Sequence, residues 1–237
     1  MTAIPQAERS LKRSGFWMAI ALVLVAGIYV RALVFTPEEA TQGLAQKIFY
    51  IHAPSAWVAF LAFGIVGVCS AIYLFVKDPR LDLFAASSAE VGTVFTTAVL
   101  VTGPIWGKVI WGTWWTWDAR LTSTLFLYFI YLAYLVLRTA VEEPGRRARY
   151  CAVLGILGAL LVPFIHVSVY LFRTLHPMPV VLRPGKPALP PAMLITTLSS
   201  FVAFTIFYFA LLARRYAWAR LVDARAQTEA ERADASR

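Results

Sequence analysis

The stretch WVAFLAFGIVGVCSAIYLFV, from Trp57 to Val76, decides the fold class of this chain. Its twenty residues include no Asp, Glu, Lys or Arg. A membrane-crossing helix needs about 20 mostly apolar residues, because the hydrocarbon core is about 30 Å thick and a helix rises about 1.5 Å per residue. This stretch is therefore predicted to cross a membrane as a helix.

Five more segments meet the same criterion, which predicts an all-α integral membrane protein with six transmembrane helices. The first of them follows three basic residues, but its apolar run is too long for a signal peptide, so we interpret it as a retained helix. The span from residue 83 is diluted by Glu90 and several hydroxyl groups, which we expect to bond across helix interfaces. The five other predicted spans are Gly15–Val34, Leu83–Val101, Leu121–Leu137, Cys151–Phe172 and Leu194–Leu212.

The composition excludes a soluble enzyme, a disordered chain and a soluble nucleic-acid binder. Hydrophobic residues make up 59% of the 237 residues and charged residues only 15%, and the mean hydropathy is +0.67. A soluble domain averages about 25% charged residues because its surface must be wetted. The two cysteines, Cys69 and Cys151, lie far apart in apolar runs and fit neither a CxxC motif nor a disulfide framework.

The distribution of Lys and Arg predicts the orientation of the chain in the membrane. With the N-terminus inside, the inner segments hold fifteen of the twenty-two basic residues and the outer segments hold seven. Both termini are therefore predicted to be cytoplasmic, and the net charge of +9 needs no nucleic acid to explain it. We predict a transmembrane domain over residues 1–213 and a charged cytoplasmic tail over residues 214–237 that continues the last helix and then frays.

The outer connection between the third and fourth spans, residues 102–120, reads TGPIWGKVIWGTWWTWDAR. Interfacial anchoring accounts for one or two tryptophans, so we favour an aromatic platform for a large planar ligand over a simple membrane belt. The helical spacing of Trp111, Trp114, Trp115 and Asp118 predicts a short surface helix that gathers them on one face. The five tryptophans within twelve residues are Trp106, Trp111, Trp114, Trp115 and Trp117. Nearby cations that could hold the carboxylates of such a ligand are Lys108, Arg120, Arg173 and Arg183.

Two histidines flank this platform on the same outer side, and both are expected in outer loops that form a shallow site. His52 precedes the second span, and His176 follows the fifth. Neutral imidazole is a ligand for iron, zinc and copper, and two imidazoles could complete the axial coordination of a porphyrin iron. Zinc is disfavoured because no third or fourth ligand shares these loops. For His166, inside the fifth span, we favour a buried polar contact that fixes the helix bundle.

The motif WGTWWTWDARLTS, residues 111–123, closely resembles the signature of the WWD-domain heme-handling proteins of cytochrome c maturation. YIHAPSAW at residues 50–57 and IHVSVYLFRTLHP at residues 165–177 resemble the flanking histidine segments of the heme exporter protein C (CcmC) family. The similarity spans most of the chain, from about Phe49 through His176. Larger relatives share the WWD motif but have more spans, so the size of this chain favours the CcmC type.

The resemblance implies a bacterial inner-membrane protein that binds heme b on its periplasmic side and delivers it to the periplasmic heme chaperone CcmE. It implies His52 and His176 as axial iron ligands. It also implies the small membrane protein CcmD and the ABC-type CcmA–CcmB pair as partners, which agrees with the lack of a nucleotide-binding loop here. No nucleophile–base pattern occurs, so we expect no enzymatic activity. The implied heme-contacting residues are Trp106, Trp111, Trp114, Trp115, Trp117, Asp118 and Arg120.

Two other functions stay open at this stage. The polar third span with Glu90 allows a heme channel that moves heme across the membrane through the bundle. Alternatively, the tryptophans bind a partner protein, and the chain is an assembly subunit without heme. A solute transporter is disfavoured because no inverted repeat or broken midplane helix is visible.

Overall fold

A computed structural model describes residues 3–172, 174–181, 183 and 185–235, and in this part of the chain every regular element is a helix. All six long helices are apolar and long enough to cross a membrane, which confirms the six-span prediction. A π-helical turn, Arg31–Phe35, extends the first helix, and a 3-10 turn, Leu44–Ile48, leads into the second. The long helices are α1 Ala3–Val30, α2 Phe49–Val76, α3 Pro79–Trp111, α4 Ala119–Ala140, α5 Pro144–Leu171 and α6 Pro191–Ala235.

Most of the helices exceed the predicted spans because their polar ends lie beyond the apolar stretch that hydropathy detects. The clearest case is α6, which continues without a break past residue 213 to Ala235. The division at residues 213 and 214 therefore corresponds to no helix end, and a separate tail remains a prediction.

Local capping explains the two tight connections between helices. Lys77 takes a left-handed conformation with φ 58° after α2, and the Asp78 carboxylate accepts a hydrogen bond from the Arg80 backbone N–H at 2.9 Å at the start of α3. Glu143 caps α5 in the same way, and Pro79 and Pro144 each occupy the first helical position. Acidic caps followed by proline are typical helix starts, since proline lacks the N–H that a first turn leaves unpaired.

The bundle has two chemically different ends. We call the end with the connections 31–48, 112–118 and 172–190 the site end, and the other the opposite end. An ion pair between Glu8 and Arg225, 3.3 Å apart, links the start of α1 to the late part of α6 at the opposite end. The described beginnings and ends of the chain thus lie on the same side, as an even number of crossings requires.

Helix α2 lies at the centre of the fold and packs against α3, α5 and α6, while α4 joins α3 to α5 and α1 packs outside on α6. Phe63 of α2 stacks on Tyr131 of α4 with ring centroids 3.6 Å apart, and both side chains are fully buried. Small residues allow this close packing. A Cβ at Gly92 would lie 2.7 Å from the Phe63 ring, and one at Gly158 would lie 2.7 Å from the Tyr131 ring.

The polar residues of α3 face protein rather than lipid, but most of their hydroxyls do not bond across helices as we expected. Thr93 and Thr96 are buried, and each donates to the backbone carbonyl four residues earlier at 2.8 Å. Ser88 and Thr97 are exceptions within the predicted span. Ser88 donates to the Ala62 carbonyl of α2 at 2.9 Å and contacts the Tyr208 hydroxyl at 2.8 Å, and Thr97 contacts the Tyr128 hydroxyl of α4 at 3.3 Å. Backbone back-bonding satisfies a hydroxyl inside its own helix, so no partner helix is needed.

Candidate functional site

A cavity of two adjacent lobes with shared lining residues lies at the site end, between α2, α3, α4 and the chain that follows α5. Its first lobe encloses about 810 Å³ and its second about 820 Å³, counted with their open mouths. The side chains that line both lobes are His52, Ala56, Phe60, Trp106, Arg120, His176 and Pro177.

His52 is held in one orientation and one tautomer by α3. It lies in the first turns of α2 rather than in a loop, which corrects our expectation of two loop histidines. Its Nδ1 is 2.9 Å from the Thr102 hydroxyl, and that hydroxyl donates its own proton to the Ala98 carbonyl at 2.7 Å. Because Thr102 thereby acts as the acceptor, Nδ1 of His52 carries the proton and Nε2 keeps its lone pair. Gly103 lets α3 approach, since a Cβ there would lie 3.2 Å from His52 Cε1.

His176 has the same tautomer as His52 but lies in a different part of the structure. It lies in the non-helical chain after α5, and its Nδ1 donates to the Pro177 carbonyl at 2.9 Å. A carbonyl can only accept, so Nε2 of His176 is also unprotonated. Burial lowers the pKa of His176 to about 3; the positive charge of Arg120 acts in the same direction, and the hydrogen bond to the Pro177 carbonyl opposes them. The imidazole therefore stays neutral and able to bind a metal throughout the physiological pH range.

The five tryptophans separate into two groups. Trp106, Trp111 and Trp115 line the first lobe, whereas Trp114 and Trp117 lie outside it with exposed fractions of 59% and 77%. These two exposed tryptophans agree with a membrane-interface belt, which we favoured less than an aromatic platform as the role of the tryptophan cluster. The lining indoles pack close to the histidines: the ring of Trp106 is 5.9 Å from that of His52, and the ring of Trp111 is 6.5 Å from that of His176. Trp106 also donates from Nε1 to the side-chain oxygen of Gln42 at 3.1 Å.

The predicted surface helix through Trp111, Trp114, Trp115 and Asp118 is wrong. Helix α3 ends at Trp111, Gly112 turns the chain in a left-handed conformation with φ 74°, and residues 113–118 are not helical. Asp118 instead begins α4, because its carboxylate accepts the Leu121 backbone N–H at 2.9 Å. A glycine C-cap followed six residues later by an aspartate N-cap separates two helices, and this signal outweighs the helical spacing. Asp118 does not line the cavity and acts as a cap.

Two buried hydrogen-bond donors on the cavity lining lack partners within the described residues. These are Nη1 of Arg120 and Nε1 of Trp115. A buried donor without an acceptor costs free energy, and a charged one costs more, so both groups favour an anionic ligand in the first lobe. The other predicted cations contribute less, since Lys108 donates to the Gly112 carbonyl at 2.9 Å and Arg183 is exposed and is not among the residues that line either lobe. Arg173 lies outside the described residues.

Sequence reasoning missed several residues that build the site. Thr102 and Gly103 orient His52 from a position fifty residues away in the chain, and Gln42 fixes Trp106 across an even longer separation. No local pattern reveals such pairs. His166 lines the second lobe rather than being enclosed in the bundle, so it is not the buried contact that we favoured.

The ligand set agrees with iron inside a macrocycle better than with a bare metal ion. Among the described residues, no three His, Cys, Asp or Glu side chains cluster closely enough to hold a metal ion. Two imidazoles alone leave most metals short of ligands, whereas a porphyrin supplies four nitrogens and needs only axial donors.

Comparison with known proteins identifies the family. A model of the family described as "Heme exporter protein C" matches residues 4–232. The chain belongs to the heme exporter protein C family. It is 38% identical to "Heme exporter protein C" of Bradyrhizobium diazoefficiens over 195 residues, which cover 82% of this chain and 74% of the relative.

Two further members of the family give the same result. The protein of that name from Haemophilus influenzae is 35% identical over 205 residues, or 86% of this chain and 83% of the relative. The one from Escherichia coli K12 is 38% identical over 161 residues, or 68% of this chain and 66% of the relative. These names indicate heme handling for cytochrome c maturation, and the six spans make the chain a multi-pass membrane protein.

Proposed function

We propose that this protein binds heme b at the periplasmic face of a bacterial inner membrane and delivers it to the periplasmic heme chaperone CcmE. The observation that carries the proposal is the pair His52 and His176. Both are neutral imidazoles whose Nδ1–H groups are occupied by acceptors, and both line the same cavity. Heme supplies an iron that accepts two axial nitrogen ligands, which these two side chains would provide through Nε2.

The remaining lining fits the rest of the heme. Apolar groups such as Ala56, Phe60 and Leu127 cover most of the first lobe, as a porphyrin face requires. The unpartnered donors of Arg120 and Trp115 would bind a propionate, whose two oxygens accept hydrogen bonds. Trp106 and Trp111 add flat apolar surface beside the two histidines.

The two ligands differ in how firmly the protein holds them, and this difference suits handover. His52 is fixed within α2 and tied to α3 through Thr102. His176 lies in a chain segment without helical hydrogen bonds, which can move at a lower free-energy cost. We infer that His176 yields to the chaperone first, while His52 retains the cargo until transfer is complete.

Orientation and partners complete the proposal. The excess of basic residues at the opposite end supports a cytoplasmic location for that end by the positive-inside rule, and the site end would then face the periplasm. The small protein CcmD and the ATP-driven CcmA–CcmB pair would supply regulation and energy. A channel through this chain receives no support from Glu90, because Arg215 of α6 donates to its carboxylate from Nη2 at 2.6 Å.

The test is a transfer experiment with purified components. The protein is loaded with hemin in mild detergent and mixed with the soluble domain of CcmE, and the two are separated after reduction. We expect the Soret absorbance to leave this protein and to appear on the chaperone. Retention of all heme by this protein would contradict delivery, and a protein that stays colourless with hemin would contradict heme binding itself. Heme transport in sealed vesicles that contain this chain alone would instead favour a channel.

A further inference from the structure

The second lobe of the cavity opens sideways toward the lipid. Helices α5 and α6 each pack against α2 but make hardly any contact with one another, so the face of α2 between them is uncovered. Trp57 of α2, His166 of α5 and Phe201 of α6 meet at this position and line the lobe. Trp57 is 40% exposed, and Val68 and Phe75 continue the uncovered face farther along α2 with exposed fractions of 60% and 87%.

The opening is bordered by membrane-spanning helices on one side and by residues 178–181 of the chain after α5 on the other. Trp57 and His166 both belong to helices that are apolar and long enough to cross the membrane, and both lie toward the site end of their helices. The ring of Trp57 packs against that of Phe201 at 6.4 Å, and its Nε1 donates to Thr205 at 3.0 Å. These contacts fix a rigid rim that is apolar apart from the imidazole of His166.

The imidazole of His166 is available to bind a ligand at this position. Within the described residues its ring nitrogens form no hydrogen bond, and its ring lies at 6.5 Å from that of Tyr170 without a polar contact. A polar side chain at membrane depth is costly without a partner and is usually kept for a function. The charged side chain among the described lining residues of this lobe is Arg120, whose positive charge favours a neutral His166.

The second lobe continues into the proposed heme site. His52, Arg120 and His176 border both lobes, so no protein layer separates the lipid-facing opening from the two axial ligands. A path therefore leads from the lipid past His166 to His52 and His176. The path starts at the imidazole of His166 and ends between the imidazoles of His52 and His176.

We propose that heme reaches the site sideways from the lipid leaflet at the site end, through the second lobe, and that His166 is the first imidazole its iron meets. This inference rests on the proposed function. Heme suits the path because its broad faces are apolar and its propionates can stay toward the leaflet surface. Each step exchanges one neutral imidazole for another on the iron, so no electron or covalent bond of the porphyrin is transferred.

The path is tested by blocking it without touching an iron ligand. Ala53 lines the second lobe and not the first, so Ala53→Trp narrows the path and leaves the first lobe intact. Protein in lipid nanodiscs is mixed with hemin-loaded vesicles, and the rise of the six-coordinate Soret band is followed. We expect Ala53→Trp to load about tenfold more slowly or worse, within the range over which association rates vary among variants of one site.

Controls separate this inference from the proposed function. Val68→Trp adds the same bulk to the uncovered face of α2 outside the lobe and should load like the wild type. Ala53→Trp given hemin in detergent, with long incubation, should reach the wild-type spectrum, which shows a folded site. Loading of Ala53→Trp from vesicles at the wild-type rate would overturn the sideways path. A wild type that never acquires the spectrum would instead overturn heme binding by His52 and His176.

The role of His166 has its own readout. In a protein with His52→Ala and His176→Ala, hemin from vesicles should give the spectrum of a single-imidazole complex. Adding His166→Ala should abolish that spectrum, whereas His166→Ala alone should slow loading and leave the final spectrum unchanged. The same single-imidazole spectrum with and without His166, or no such spectrum at all, would overturn the assignment of His166.

Discussion

Arginine occurs in the interior at both ends of the bundle, but in opposite circumstances. At the opposite end, Arg138 of α4 donates to both oxygens of Asp82 of α3 at 2.7 and 3.0 Å, and the two side chains are only 15% and 13% exposed. At the site end, Nη1 of Arg120 is buried and has no partner within the described residues. Removing one partner of the satisfied pair would leave a buried charge uncompensated, whereas the unsatisfied donor at the site end can still bind a ligand. Polar residues are therefore paired with one another at the opposite end, whereas at the site end they leave a donor free for a ligand.

The largest expected effect is a loss of stability when the buried ion pair at the opposite end is removed. Asp82→Asn leaves the Arg138 guanidinium without its counter-charge, which should destabilise the fold by about 3–5 kcal/mol, the usual cost of removing one partner of a buried pair. Unfolding in mixed micelles of dodecyl sulfate and a mild detergent measures this. The matched control is Glu8→Gln in the exposed pair with Arg225, which should unfold like the wild type. Equal stability of Asp82→Asn and the wild type would remove the distinction between the ends.

The next variant should weaken hemin binding without loss of stability. Arg120→Leu removes an unpartnered charge, so the fold should be as stable as the wild type or more so, while hemin binding weakens by about 10- to 100-fold through loss of a charged hydrogen bond. Binding of hemin dimethyl ester, which has no carboxylate, should be equal in the wild type and the variant. Arg183→Leu, at an exposed position that lines neither lobe, serves as control. A large loss of stability in Arg120→Leu would show that this arginine is structural.

A loss of hemin binding in the same range is expected from the group that orients His52. Thr102→Val keeps the shape of the side chain but removes the acceptor for Nδ1–H, and loss of such an outer partner typically weakens binding by about 10- to 100-fold. Thr93→Val, whose hydroxyl bonds only within α3, should bind hemin like the wild type. Equal hemin affinities for the two threonine variants would contradict the tautomer that we assign to His52.

The smallest effect concerns the exposed indoles. Trp114→Ala and Trp117→Ala should leave hemin affinity nearly unchanged, because both side chains lie outside the cavity. Trp115→Ala should weaken hemin binding clearly, since it removes a lining ring and an unpartnered donor. Titration of the three variants with hemin measures the difference. Three equal losses would restore the continuous platform that the sequence pattern predicted.

Hydropathy was enough to predict the six spans, and the clustered indoles point to the region of the candidate site. These signals are local in sequence or depend on composition, so they can be interpreted without knowing which helices pack together. The backbone of the tryptophan segment was not predictable from spacing alone, because Gly112 and Asp118 interrupt the helix that the spacing favours. The Thr102–His52 contact and the sideways lobe depend on which helices pack together, and one sequence does not contain that information.

The central claim is that His52 and His176 together bind the iron of one heme, and its most direct test is spectroscopic. Visible and electron paramagnetic resonance spectra are recorded for ferric hemin on the wild type, His52→Ala and His176→Ala. We predict a low-spin, six-coordinate complex in the wild type and a single-imidazole complex in each variant, with added imidazole restoring the wild-type spectrum. Wild-type spectra in both variants, or no complex in the wild type, would contradict the claim.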